Sequence, residues 1–120
     1  MSCKASVRHV GDVVVVDISG RLTLGDGSGM IRNTIKDLVT GGERKILLNL
    51  KDVSYMDSAG LGEMVGAYAS VSNIGGHIKL LNTQGKIKDL LQVTKLYTVF
   101  SDYSDEAVAT RSFTREAASV

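Results

Sequence analysis

Lys45-Ile46-Leu47-Leu48-Asn49-Leu50-Lys51-Asp52-Val53-Ser54-Tyr55-Met56-Asp57-Ser58-Ala59-Gly60-Leu61-Gly62 is a strand pattern that passes directly into a helix pattern. Residues 45–50 are apolar on both sides of their alternation, as in a central strand covered on two faces. Val53 to Met56 then delivers Asp57 and Ser58 to the start of a helix. From Leu61 the apolar residues recur at Met64, Val65, Tyr68 and Val71, a spacing that draws one buried stripe along that helix. A buried strand feeding an amphipathic helix is the building unit of an α/β domain.

Gly60, Gly62 and Gly66 sit in or beside the same helix. Each glycine in a helix interior costs about 1 kcal/mol against alanine, so stability alone does not select them. Glycine at a helix start removes side chains that would hold another molecule's backbone away from Ser58. The first-turn amides lack internal partners, so a phosphate on Ser58 would meet donors and the positive end of the dipole. Serine and aspartate are also favoured N-caps, and capping without modification accounts for the same residues. Leu61 stands where a serine-led capping box would need Glu or Gln, so the full box is absent.

Outward from this stretch, Cys3, Ala5 and Val7 alternate with polar neighbours, and Gly11-Asp12 precedes Val13-Val14-Val15-Val16-Asp17-Ile18. This reads as a strand, a tight turn and a second strand. The link Gly25-Asp26-Gly27-Ser28-Gly29 leads into Ile31, Ile35, Leu38 and Val39 on one helical face, with Ser28 as N-cap and Gly41-Gly42 closing the helix. The helix from Leu61 stops near Gly75-Gly76. His77 to Asn82 forms a strand, a short helix carries Ile87, Leu90, Leu91 and Val93, and Tyr97-Thr98-Val99-Phe100 reads as a last strand. Ser104-Asp105-Glu106 places a cap and two acids at the start of a final helix, with a tail that frays after Phe113. The expected fold is α/β: a mixed β-sheet of about five strands flanked by about four helices. In such sheets functional loops gather at the carboxyl ends of the strands, where the Ser58 loop lies together with the loop after Ile18.

Composition limits what such a domain does. At 120 residues, 43% hydrophobic and 22% charged, with a net charge of +1, the chain reads as one ordinary globular domain. Nucleic acid is not an expected partner: the charge is nearly balanced, and aromatic residues, at 5%, offer few stacking platforms. No apolar run approaches the length of a membrane span or signal peptide. Cys3 is the one cysteine, so no internal disulfide forms, and the chain reads as cytoplasmic. The basic residues, Lys79 among them, are scattered as on a solvated surface.

Catalytic sets are missing. His9 and His77 each lie inside an expected strand and match no metal-ligand spacing. Asp57 and Ser58 are adjacent, so the first does not face the second as a base. Ser58 lacks the Gly-x-Ser-x-Gly elbow. The Gly25 to Gly29 link lacks both the P-loop ending and the Rossmann spacing. An enzyme reading therefore has no residues to stand on, and no metal or cofactor is expected.

The run Leu48 to Gly62 resembles the signature of the STAS domain, specifically the bacterial anti-sigma factor antagonists. The resemblance extends from about Val7 to Phe113 and includes Gly20-Arg21-Leu22-Thr23, Gly75-Gly76, and Leu90-Leu91 with Lys95-Leu96. It implies a single STAS domain over residues 1–120, with a core of about 7–113 and a short tail, 114–120. It implies a cytoplasmic switch, monomeric or weakly dimeric, with no nucleic-acid or membrane partner. Such proteins, when unphosphorylated, bind an anti-sigma factor that is also a serine kinase and so free a sigma factor; phosphorylation ends the binding, and a PP2C-type phosphatase reverses it. Carried onto this chain, the phosphoacceptor is Ser58, and the partner-binding residues are Asp57, Ser58, Gly60, Leu61, Gly62 and Thr23. Arg21 and Thr23 depart from the acidic residues common after Gly20 in the family, and Thr83-Gln84 stands where a proline often opens the next helix. Two alternatives remain: a STAS scaffold subunit of a larger signalling or transport assembly, and a nucleotide-binding domain using the Gly25 to Gly29 link.

Overall fold

Four successive apolar residues, Val13 to Val16, are all buried because both faces of their strand are covered. The structure, a computed structural model, describes residues 3–23 and 29–118. In chain order the elements are β1 (Cys3–Val10), β2 (Val13–Leu22), α1 (Met30–Thr40), β3 (Lys45–Met56), α2 (Ser58–Asn73), β4 (His77–Leu81), α3 (Gly85–Thr94), a 3-10 turn (Leu96–Thr98), β5 (Asp102–Tyr103) and α4 (Glu106–Ala118). The sheet runs β1-β2-β3-β4-β5. β1 pairs antiparallel with β2 through a turn at Gly11, whose φ of 64° suits glycine, and every later pairing is parallel. The five-stranded mixed sheet and four α-helices match the expectation from sequence, and β3 lies at its centre.

The two faces hold separate cores. On one, Val14, Val16, Ile18, Ile46, Leu48, Leu50, Ile78 and Leu80 pack under α1, α2 and α3. On the other, Val13, Val15, Leu47 and Leu81 pack against Ala109 and Phe113 of α4. β1 is the outer strand beside β2 and is largely exposed. Its Arg8 guanidinium donates to Asp17 of β2 at 2.6 Å and to Glu106 at 2.6 Å, tying the start of α4 to the hairpin. Arg8 holds the carboxyls of Glu106 and Asp17 below the usual carboxylate range, chiefly through these hydrogen bonds.

Several local expectations change. Tyr97 to Phe100 is not a strand. Lys95 takes a left-handed conformation (φ 63°) that ends α3 and turns the chain into Leu96–Thr98. This buries Phe100 edge-on against Tyr68, centroids 5.3 Å apart. The pairing strand comes later, as Asp102–Tyr103, where the Asn82 N–H reaches the Tyr103 carbonyl at 2.8 Å. α4 extends past Phe113 to Ala118, and its cap is Asp105, whose Oδ2 accepts from the Val108 N–H at 2.9 Å. Lys79 is not on the surface: it is 4% exposed, its ammonium donating to Ser112 Oγ at 2.9 Å and lying 4.9 Å from the Phe113 ring centre. Gly29, not Ser28, occupies the cap position of α1, and Ser28 with Gly25 to Gly27 lies outside the described residues. Val93, expected with the apolar side of α3, is 82% exposed, while Ile87 and Leu91 are buried. No helix among the described residues is long and apolar enough to cross a membrane.

Candidate functional site

β2 and β3 end side by side, Leu22 opposite Met56, and the chain leaves β3 through Asp57 in an extended conformation (φ −107°). The Asp57 N–H donates to the Leu22 carbonyl at 3.2 Å, which fixes where α2 begins. Asp57 Oδ1 accepts from the Ala59 N–H at 2.9 Å and the Gly60 N–H at 3.1 Å, so the cap is Asp57 and Ser58 is the first helical residue. Ser58 is exposed. The expectation of unused donors at the helix start therefore fails for two amides: those of Ala59 and Gly60 already hold the Asp57 carboxylate.

The three glycines of α2 divide by surroundings. A Cβ on Gly60 would overlap the Leu22 carbonyl oxygen and lie 2.9 Å from Leu22 Cβ, so glycine there is a condition of docking α2 on the end of β2. A Cβ on Gly62 or Gly66 would meet no atom within 4 Å. These two residues, with Ala59, Glu63, Ala67, Ser70 and Arg32 of α1, line an open groove of about 390 Å³ between α2 and α1.

The other residues expected at the site fall at different depths. Leu61 is 5% exposed and packs in the core under α2. Asp57 and Thr23 are half-buried, and Gly62 is exposed. Thr23 follows Leu22 directly, so the ends of β2 and β3 bring it beside the start of α2. Arg21, which departs from the resemblance, pairs opposite Tyr55 on β3 and lies 5.4 Å from its ring centre; Lys86 approaches the same ring at 5.9 Å. Among the described residues no group of three or more His, Cys, Asp or Glu side chains is placed to hold a metal ion.

One residue at this site escaped the sequence reading. Glu63 reaches from α2 to the start of α1, where its Oε2 accepts from the Gly29 N–H at 2.5 Å. No motif announces it, because the capping side chain and the capped helix belong to different elements.

Comparison with known proteins bears on the fold and the family. The sequence model of the STAS domain matches residues 4–109. The chain is 27% identical over 110 residues to an anti-sigma F factor antagonist of Paenibacillus polymyxa, covering 91% of this chain and 93% of that protein. It is 31% identical over 96 residues to the anti-sigma-B factor antagonist of Bacillus subtilis, covering 80% of this chain and 86% of the relative. The Bacillus cell fate determinant SpoIIAA, solved in its phosphorylated form, shares the fold, with a TM-score of 0.70 at 24% identity over 90% of this chain and 98% of that one.

Proposed function

The chain belongs to the STAS domain family, and on that premise we propose that it is an anti-sigma factor antagonist whose binding is switched by phosphorylation of Ser58. The observation that carries this reading is the division of labour at the start of α2. Asp57 makes the helix cap, so the exposed Ser58 hydroxyl is not needed to hold the fold. It is available to a kinase. In the transfer, Ser58 Oγ attacks the terminal phosphorus of ATP, the bond to the bridging oxygen breaks, ADP leaves, and the hydroxyl proton passes to a base of the kinase.

In the unmodified state the side chains exposed beside Ser58 on α2 are small. Ala59, Gly62 and Gly66 let a partner's backbone approach α2, while Gly60 and Leu61 hold the helix where the approach occurs. A phosphoryl group adds about −1.5 to −2 charges next to Asp57. The amides of Ala59 and Gly60 are already occupied, so the dianion keeps its water until a partner strips it away. Burying it without new partners costs several kcal/mol, roughly a hundredfold or more in affinity. The expected partner is an anti-sigma factor that is also a serine kinase, and a PP2C-type phosphatase restores the binding form. Both would meet the protein in the cytoplasm.

The test is a pull-down with wild type, Ser58→Ala and Ser58→Asp as baits, the captured proteins identified by mass spectrometry. Capture of a small ATP-binding kinase by alanine and not by aspartate is expected. Equal capture by both removes the electrostatic switch, and capture of other STAS proteins regardless of position 58 moves the reading to a scaffold.

A further inference from the structure

Among the described residues, the one at the cap position of α1 makes no side-chain cap. Gly29 holds the cap position at φ 82°; its carbonyl accepts from the Asn33 N–H, but it has no side chain to offer the earlier amides. Such donors need acceptors from elsewhere. Glu63 of α2 supplies them: Oε2 takes the Gly29 N–H, and Oε1 stands at the outer limit, 3.5 Å, from the Arg32 N. The carboxylate also lies at the positive end of the α1 dipole, where an anion is favoured.

The far end of the same connection is fixed to the same helix. Leu22, the last residue of β2, accepts from the Asp57 N–H and packs against Gly60. The chain thus leaves β2 and enters α1 under the hold of the first two turns of α2, the turns that carry Ser58. Arg32, Gly62 and Glu63 itself all line the groove between the two helices.

We propose that Glu63 is a positioning residue for the Ser58 surface: by capping α1 from α2 it keeps the starts of the two helices in one fixed arrangement for a partner to read. The inference rests on the reading of that surface as the partner site. A glutamine at 63 keeps an acceptor oxygen and loses the charge; a leucine keeps the bulk and loses both.

The experiment compares wild type, Glu63→Gln and Glu63→Leu by NMR amide exchange, and by dissociation from the kinase captured with the Ser58→Ala bait. In the leucine variant the Gly29 amide is expected to exchange about tenfold faster, with the amides of Ile46 and Leu48 unchanged. The glutamine variant should lie between it and wild type. Dissociation should follow the same order, about fivefold faster with leucine. Unchanged exchange at Gly29 overturns the inference. So does faster exchange with unchanged dissociation, and so does a uniform rise across β3, which would mark a general loss of stability. If no kinase is captured, the partner reading fails, a result separate from exchange at Gly29, which decides the capping by itself.

Discussion

Gly60 and Gly62 look alike in the sequence and meet opposite surroundings in the fold. Gly60→Ala forces a methyl group into the Leu22 backbone and is expected to cost about 3 kcal/mol. Gly62→Ala adds a methyl where nothing lies within 4 Å and is expected to stabilise by about 0.5 to 1 kcal/mol. Urea denaturation of both variants checks this pair. The same Gly62→Ala protein should bind the captured kinase more weakly, since its new methyl stands in the groove. The sequence singled out all three glycines because their helix propensity is poor, a local property. What distinguishes them is the neighbour supplied by another strand, and no local pattern encodes that. Glu63 illustrates the same limit, since its partner is a backbone N–H on a different helix.

Among the elements, α2 is capped by Asp57, which leaves Ser58 in a first turn where acidic groups are favoured by about 0.3 to 1 kcal/mol. Ser58→Asp is therefore expected to melt at or slightly above the wild-type temperature in a thermal scan, so that any loss of binding by this variant reports charge and not unfolding. The docking of α4 gives a pH prediction. Asp17 and Glu106 have lowered carboxyl pKa values in the fold because of Arg8, so their contribution is present at neutral pH and is lost as pH falls through the folded values. These groups are more than one-third exposed, which reduces the effect to about 1 kcal/mol. Arg8→Met should be less stable than wild type by that amount at pH 7, and the gap should close in acid, as measured by urea titration at both ends. α1 and α2 were legible from their apolar spacing and glycine stops, and α4 from the acids at its start. The 3-10 turn was not, because Tyr97, Thr98, Val99 and Phe100 are all residues that favour strands. The left-handed turn at Lys95 and the burial of Phe100 overrode that preference.

For the whole molecule, the opening hairpin, the helical crossovers and the central place of β3 were legible in the apolar pattern, while the order of the remaining strands comes from their pairing in the fold. The site was legible as a place, at the carboxyl ends of β2 and β3, because Asp57 and Ser58 directly follow a buried strand. Its division into a capping residue and an exposed one was not, since both residue types cap helices. Phosphorylation should carry the chain from a net +1 to a slightly negative charge. A faster migration towards the anode in a native gel, with an unchanged circular dichroism spectrum, is the expected result.

The sheet ends on one side in a two-residue strand and on the other in the eight residues of β1. An outer strand of that length is a template on which a further chain could add its own backbone and begin a fibril. In β1 the exposed positions carry Lys4, Ser6, Arg8 and His9, with Val7 as the one large apolar side chain at 44% exposure. Lys4 and Ser6 on that edge, with Arg8 turned to Asp17 and Glu106, make β1 a poor surface for a second copy to extend the sheet.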